Sequence, residues 1–175
     1  MQKKIILLSG DPNSINSELI YKSWIKIPKS IQKKIILISN FRLLEKQFKK
    51  LKYPVRINKI KNINEYDSGK NLKILDIDLQ FIKPFQVDQK SASKFVKESL
   101  NLAHKLAQNK MVKGIINCAI DKSLLQKNKT GVTEYLASKC NVKKNTEVMM
   151  ISNPLLNVVP LTTHLDIKDV SKKID

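Results

Sequence analysis

The chain has 175 residues, of which 42% are hydrophobic, so it can bury a sizeable core and is not expected to be mainly disordered. Its first apolar run is too short for a signal peptide, and no run approaches the roughly 20 residues of a membrane-spanning helix. A soluble, cytoplasmic protein is therefore predicted, with Cys118 and Cys140 as reduced thiols.

The formal net charge of +18 permits a phosphate-rich partner such as nucleic acid. Of the 33 basic residues only Arg42 and Arg56 are arginines, although the guanidinium fork is the favoured group for reading bases and clamping phosphates. Because lysine, isoleucine and asparagine are all abundant, we interpret the charge as a compositional bias of a solvated surface. Neither a nucleic-acid nor a membrane partner is predicted, and a lysine-rich nucleic-acid binder stays as the third alternative.

The first part of the chain alternates between strand and helix patterns. Residues 3–9 form a short apolar run that predicts a buried strand, and the turn residues 10–12 separate it from a helical stretch, Asn16–Lys26. A second apolar run, Ile35–Ser39, precedes a helical pattern over residues 43–51. The sequence therefore predicts two successive strand-helix units.

The middle of the chain contains the clearest helix signal. Residues 58–69 are polar with little periodicity, which predicts a loop before a short strand at 73–78. Residues 92–109 place apolar side chains at helical spacing and predict a long amphipathic helix.

The last part continues the alternation. Residues 114–118 predict a strand, short helical segments follow at 121–126 and 132–138, and apolar runs occur at 148–151 and 158–161. Strands alternating with helices predict an α/β fold with a largely parallel sheet. We divide it into an N-terminal α/β domain, residues 1–90, and a second α/β segment, residues 91–175.

In such folds ligands bind at the carboxyl ends of the strands, so the loops that follow the apolar runs are the candidate site. Four loops qualify: residues 10–18, 117–122, 130–134 and 162–166.

Those loops carry a family resemblance. Residues 10–18, GDPNSINSE, resemble the GDPAGIGPE signature of the 4-hydroxythreonine-4-phosphate dehydrogenase family, and the matches include Gly10, Asp11, Pro12 and Glu18. Residues 119–122, AIDK, resemble the family's PINK or PVHK turn, and residues 131–136, GVTEYL, resemble GHTEFL. Residues 162–170, TTHLDIKDV, resemble TTHLPLRDV. All four are in the family's order, and the chain corresponds to its N-terminal half.

The resemblance implies an oxidoreductase of vitamin B6 and pyridoxal phosphate biosynthesis. It would be an NAD-dependent, metal-dependent dehydrogenase that oxidises and decarboxylates a phosphorylated hydroxy amino acid. The implied fold is that of the isocitrate and isopropylmalate dehydrogenases, truncated here, with a largely parallel sheet and flanking helices. The implied assembly is a homodimer.

The resemblance also assigns roles to individual residues. His164 corresponds to the first of three metal ligands, for zinc, magnesium or cobalt, and Thr133 to a substrate contact. Val132 stands at the position of a family histidine that also contacts substrate, and Asp121 and Lys122 lie in a substrate loop. Catalytic and NAD-binding residues are not assigned.

Some positions depart from the family pattern. Val132 cannot form a hydrogen bond, so a polar substrate group facing it would go unpaired at a cost of about 1–3 kcal/mol. Asp121 brings a negative charge towards a phosphorylated substrate. In the first loop Ser14 and Asn16 replace two glycines, which matters if the backbone there needs positive φ.

The family's other metal and substrate ligands lie in the half that has no counterpart here, and one imidazole does not make a catalytic metal site. Activity of this chain alone is therefore not expected. The alternative is a non-catalytic α/β module, derived from the family, that dimerises or binds a phosphorylated ligand. Asp11 and Glu18 are equally compatible with structural roles, as a loop carboxylate and a first-turn carboxylate.

Overall fold

The computed structural model describes residues 4–65, 71–125, 131–140, 148–160, 162 and 166–173. They form two compact units, Met1–Leu136 and Ala137–Asp175. The first contains the strands β1 (Lys4–Leu8), β2 (Ile35–Ser39), β3 (Ile57–Ile60), β4 (Leu72–Asp76) and β5 (Val112–Asn117). Its helices are α1 (Asn16–Lys26), α2 (Lys29–Gln32), α3 (Phe41–Lys50), α4 (Gln89–Gln108) and α5 (Val132–Ala137), the last reaching the unit boundary. The second contains β6 (Ile151–Ser152), β7 (Asn157–Val158) and α6 (Ile167–Val170).

The first unit is built on one parallel sheet. Its strand order is β3-β4-β2-β1-β5, and every neighbouring pair is parallel. Parallel neighbours need crossover connections, and helices lie in the connections from β1 to β2, from β2 to β3 and from β4 to β5. The predicted α/β fold with a largely parallel sheet is confirmed.

Helices cover both faces of this sheet. Alternate strand residues point to opposite faces, so Ile6 and Ile36 pack into one hydrophobic cluster while Leu37 and Ile74 pack into another. Helix α4 covers the first face with a set of buried side chains: Phe95, Val96, Leu100 and Ala103. Helices α1 and α3 cover the second face with Ile20, Trp24, Leu44 and Phe48. Burial on both faces explains why the strands read as continuous apolar runs.

Side-chain caps fix the starts of two helices. The Asn40 side chain accepts a hydrogen bond from the Leu43 amide at 2.8 Å and begins α3. Asp88 accepts one from the Ser91 amide at 2.9 Å and begins α4. The predicted long helix at 92–109 is thus confirmed and begins three residues earlier, because its start is set by a polar cap rather than by the apolar stripe.

The predicted loop at 58–69 is wrong at its beginning. Residues Ile57–Ile60 form the edge strand β3, which pairs with β4. An edge strand with one solvated side can carry polar residues such as Asn58 and Lys59, so it lacks the apolar run that marks a buried strand. The helical segment predicted at 121–126 is only a 3-10 turn over Lys122–Leu124 in the described residues.

The predicted division between residues 90 and 91 stays a prediction. Helix α4, which spans this division, and strand β5, which follows it, belong to the same unit as the strands before them. Across the described ranges, no helix combines the length and apolarity needed to cross a bilayer.

Candidate active site

Two of the four predicted loops meet at the carboxyl ends of β1 and β5. The Asp11 amide donates a hydrogen bond to the Ala119 carbonyl oxygen at 3.0 Å, and the Asn16 side-chain Nδ2 donates to the same oxygen at 2.7 Å. Because β1 and β5 are parallel neighbours, their carboxyl ends lie at one edge of the sheet. Loop 10–18 and loop 117–122 therefore form one continuous surface.

Gly10 allows this close approach. Its φ is +71°, in the left-handed region that glycine adopts without strain. A Cβ at this position would lie 2.4 Å from the Ala119 carbonyl oxygen and 2.6 Å from Asn16 Nδ2. Both the backbone conformation and the packing therefore require glycine here.

The departures from the family signature do not strain the loop. Among the described residues, the non-glycine positions with positive φ are Lys52, Phe85 and Lys110, so Ser14 and Asn16 keep ordinary backbone conformations. The Ser14 hydroxyl donates to the Asp11 carbonyl oxygen at 2.7 Å. The replaced glycines were thus not needed for positive φ in this chain.

Asn13 connects the loop to the segment before α4. Its Nδ2 donates to the Val87 carbonyl oxygen and its Oδ1 accepts from the Val87 amide, both at 2.8 Å. This two-point pairing imitates a strand ladder. On the other side of the loop, the buried Gln47 donates its Nε2 to the Pro12 carbonyl oxygen at 2.8 Å. The loop is therefore held from two elements that sequence reasoning did not connect to it.

Asp11 and Glu18 are engaged locally. Asp11 Oδ1 accepts from the Asn13 amide at 2.8 Å, which makes an Asx turn. Glu18 forms an ion pair with Lys22, one turn further along α1. These contacts favour the structural alternative for both carboxylates.

Beneath the loop lies a small polar cavity. Asn16 Oδ1 and Ser17 Oγ are buried, and within the described part of the chain they have no hydrogen-bond partner. A cavity of about 10 Å³ is lined by both residues and by Asp11. Its size matches a single small polar molecule such as water, so it belongs to the packing of the loop.

In the second loop, Asp121 directs its carboxylate to its own backbone. Asp121 Oδ1 accepts from the Ser123 amide at 2.8 Å and caps the 3-10 turn. Lys122 is exposed on that turn. The Ser93 hydroxyl of α4 donates to the Leu124 carbonyl oxygen at 2.6 Å and anchors the turn to the helix.

The third predicted loop begins α5. Val132 is partly buried and packs against the hydrophobic cluster under α4, whereas Thr133 and Glu134 are exposed. Tyr135 is buried, and its hydroxyl donates to Asn101 Oδ1 of α4 at 3.0 Å. Burial raises the pKa of the Tyr135 phenol. The valine at the family histidine position therefore serves packing, and the threonine is an exposed residue.

Cys118 follows β5 and is engaged in the fold. Its amide donates to the Leu8 carbonyl oxygen at 3.1 Å, and burial raises the pKa of its thiol to about 11. A thiol with so high a pKa is a poor nucleophile at neutral pH, so no reactive role is assigned to it.

His164, the predicted metal ligand, and Thr130 lie outside the described residues. Within the described residues, no three His, Cys, Asp or Glu side chains lie together so that they could hold a metal ion. The described side chains alone therefore do not fit the implied metal, and no chemical step is derived through it.

The residues that sequence reasoning missed are contact partners. Val87, Asn101 and Gln47 hold the site loops from positions far away along the chain. No local pattern marks them, because a backbone carbonyl or a single amide side chain becomes significant only in the folded protein.

An open parallel sheet with joined loops at the carboxyl ends of its strands defines an α/β protein whose candidate ligand site lies at that edge. The family model described as pyridoxal phosphate biosynthetic protein PdxA matches residues 31–175. The chain belongs to this family, and the resemblance indicated by the four motifs is confirmed.

Curated relatives support this membership. The chain is 32% identical to a 4-hydroxythreonine-4-phosphate dehydrogenase from Aquifex aeolicus, over 97% of this chain and 52% of the relative. It is 30% identical to one from Sulfurihydrogenibium, over 98% of this chain and 52% of the relative. The chain thus spans about half the length of the curated relatives it matches.

Solved structures have the same fold. The 4-hydroxythreonine-4-phosphate dehydrogenase from Burkholderia phymatum superposes with a TM-score of 0.84 at 23% identity, over all of this chain and 54% of that one. The Klebsiella pneumoniae enzyme gives 0.84 at 22% identity, over 98% of this chain and 54% of that one.

Proposed function

We propose that this chain forms the N-terminal half of a 4-hydroxythreonine-4-phosphate dehydrogenase of pyridoxal phosphate biosynthesis. The reaction would be NAD-dependent oxidation of a phosphorylated hydroxy amino acid, followed by loss of carbon dioxide. The observation that carries this proposal is the junction of loops 10–18 and 117–122 at the carboxyl ends of β1 and β5 in a member of the PdxA family. The chain spans about half the length of this relative, and we propose that the remaining site residues belong to the other half of the enzyme.

Two side chains of this chain are suited to bind such a substrate. The exposed Lys122 ammonium offers a positive charge to the phosphate, and the exposed Thr133 hydroxyl can donate to or accept from a polar substrate group. Both segments are anchored on α4, at Ser93 and at Asn101. Eight residues of helix separate the two anchors by roughly 12 Å, a span on the scale of a small phosphorylated amino acid.

Asp121 is compatible with a phosphate nearby. Its carboxylate accepts from the Ser123 amide, so part of its charge is directed to the backbone of the turn rather than outwards. The electrostatic conflict expected from the sequence is reduced accordingly.

The implied cofactors would be held by the complete enzyme. NAD would accept the hydride that leaves the substrate carbon, and a divalent ion (zinc, magnesium or cobalt) would require two ligands besides His164. We therefore expect no turnover by this chain alone.

The homodimer is proposed from the second unit. The β6–β7 hairpin exposes a contiguous apolar set: Met149, Met150, Ile151, Leu155, Leu156, Val158 and Val159. Ile151 is 61% and Leu155 is 96% exposed, while Asn153 Oδ1 holds the turn by accepting from the Leu155 and Leu156 amides. An exposed apolar set of this kind is typical of a protein interface, and we assign it to a second copy of the chain. We also propose a cytoplasmic location. We propose no nucleic-acid partner, because the basic surface is almost free of arginine.

The test is an absorbance assay for NADH. The chain is co-expressed with the remaining half of the Aquifex aeolicus relative, and the complex is supplied with 4-phosphohydroxythreonine, NAD and Zn²⁺ or Mg²⁺. We expect NADH to form, and Thr133→Val to lower kcat/KM by about 10- to 100-fold, since a lost hydrogen bond in a desolvated site costs about 1–3 kcal/mol. Thr133→Ser keeps the hydroxyl and should stay within about threefold of the parent.

A complex that forms no NADH would overturn the dehydrogenase proposal. The second candidate, a non-catalytic module that binds a phosphorylated ligand, is favoured by Val132, which packs into the core where the family has a histidine. That candidate requires calorimetric binding of 4-phosphohydroxythreonine, weakened by Lys122→Ala, without any NADH production.

A further inference from the structure

Two side-chain oxygens at the start of α1 are buried without a hydrogen bond. Asn16 is 2% and Ser17 is 3% exposed, and among the described residues neither Asn16 Oδ1 nor Ser17 Oγ has a partner. The orientation of the amide is fixed at its other end, because Asn16 Nδ2 donates to the Ala119 carbonyl oxygen at 2.7 Å. A rotated amide would set Oδ1 against that carbonyl oxygen. Since a buried acceptor without a donor is costly, we expect a donor at Asn16 Oδ1.

The two polar side chains distinguish this chain from the family signature that residues 10–18 resemble. In GDPAGIGPE, a glycine stands at the position of Asn16 and a proline at the position of Ser17. Neither of those residues carries a polar side-chain atom, so the need for a hydrogen-bond partner arises from this chain's own residues. The site is therefore not one that the resemblance implies.

The small cavity beneath loop 10–18 lies where these oxygens need a partner. Its volume of about 10 Å³ accommodates one water molecule and excludes a phosphate or an amino acid. Besides Asn16 and Ser17, its wall includes the buried residues Ser9 and Ser39, at the carboxyl ends of β1 and β2. A buried water makes about three hydrogen bonds and is stable only where several polar groups surround it. These side chains supply that surrounding.

The hydrogen-bonding capacities of the wall also favour water. Asn16 Oδ1 can only accept, whereas the Ser17 hydroxyl can both donate and accept. A water molecule has two donors and two acceptors, so it can satisfy both oxygens at the same time. The start of α1 adds to this polar demand, because Ile15 occupies the N-cap position and provides no side-chain hydrogen bond to the first turn.

We propose that this cavity is a binding site for one water molecule, which donates a hydrogen bond to Asn16 Oδ1 and shares another with the Ser17 hydroxyl. The water holds the Asn16 amide in the orientation in which Nδ2 donates to the Ala119 carbonyl oxygen. It thereby supports the junction between loop 10–18 and loop 117–122. The inference does not depend on the proposed function, because its tests measure stability, hydrogen exchange and electron density rather than activity.

Urea denaturation of two serine variants tests the water. If Ser17 Oγ is bonded to it, Ser17→Ala loses a buried hydrogen bond and lowers the urea midpoint by about 0.5 M. Ser99→Ala is the matched control, because Ser99 is 4% exposed, its Oγ has no partner within the described ranges, and it does not line the cavity. Removal of an unpartnered hydroxyl should leave the midpoint unchanged or raise it. A Ser17→Ala midpoint equal to or above that of the parent would overturn the proposal.

Amide hydrogen exchange, followed by NMR, tests the effect on the junction. The Asp11 amide donates to the Ala119 carbonyl oxygen, and we expect it to exchange at least about fivefold faster in Ser17→Ala than in the parent. The Met111 amide, which donates to the Leu106 carbonyl oxygen at the far end of α4, should stay within about twofold. Unchanged exchange at Asp11, or equal acceleration at both amides, would exclude the supporting role of the water.

A crystal structure of the parent chain locates the water directly. We expect density for one water molecule within about 3.2 Å of both Asn16 Oδ1 and Ser17 Oγ. A cavity without that density, at a resolution that shows other buried waters, would overturn the binding site even if Ser17→Ala were destabilised.

Discussion

At Gly10, positive φ and the approach of a carbonyl oxygen act together. We expect Gly10→Ala to lower the free energy of unfolding by about 2–3 kcal/mol, because it combines a strained backbone with a contact that must move apart. Urea denaturation followed by circular dichroism measures the change. Gly114→Ala is the control and should stay within about 0.5 kcal/mol, since its added Cβ meets nothing within 4 Å. Equal destabilisation by both would contradict the role of Gly10.

Cys118 gives a second measurement at the residue scale. With a thiol pKa of about 11, its thiolate fraction at pH 8 is about 100-fold below that of an ordinary cysteine. In a Cys140→Ser background, alkylation by iodoacetamide should therefore be about 100-fold slower in the folded protein than in urea. Equal rates in the two states would show that the thiol is not buried as described.

The sequence indicated some of the site residues but not others. Gly10 and Thr133 were found because they belong to short motifs read locally, and Asp121 was found for the same reason. The pairing of Asn13 with Val87 was not found, because 74 residues separate the two and neither is unusual where it stands. Val132 was expected to leave a substrate group unpaired, whereas its packing against the core became visible only in the fold.

At the scale of elements, α3 depends on a residue with two roles. Asn40 accepts from the Leu43 amide as the N-cap, and its Nδ2 donates to the Ile77 carbonyl oxygen at 2.8 Å. We expect Asn40→Ala to lower the free energy of unfolding by about 2 kcal/mol, because a cap and a buried hydrogen bond are both lost. Asn40→Asp keeps the cap but sets a buried carboxylate oxygen against the Ile77 carbonyl oxygen, so its loss should be at least as large as that of the alanine variant. Urea denaturation measures the free energy of unfolding of the parent and the two variants. An alanine variant as stable as the parent would exclude a contribution of Asn40 both as the N-cap and as the donor to Ile77.

Element boundaries were predicted best where the pattern is strongly apolar. Strand β2 and helix α1 have the bounds that the sequence predicts, since their apolar periodicities end at Pro, Gly or polar residues. Strand β3 was missed because a four-residue edge strand with polar side chains has no such signature. Helix α2 was missed because a single turn after Pro28 leaves no periodicity to detect.

At the scale of the whole molecule, the parallel sheet agrees with the fold of the family, and the chain spans about half the length of its relatives. The described part of the first unit has a buried core under α4, and the chain aligns with about half of the curated relatives it matches. The motifs that indicate the family lie within this chain, whereas the described residues form no group that could hold a metal ion. This explains why family membership could be predicted from the sequence while activity could not.

The most direct measurement is a crystal structure of the complex between this chain and the remaining half of the Aquifex aeolicus relative, bound to Zn²⁺ and 4-phosphohydroxythreonine. We expect an anomalous zinc signal at His164 and a substrate oxygen within hydrogen-bonding distance of the Thr133 hydroxyl, both in one cleft at the carboxyl ends of the parallel strands. Zinc and substrate at separate places, with His164 and Thr133 on opposite sides of the molecule, would contradict the proposed enzyme.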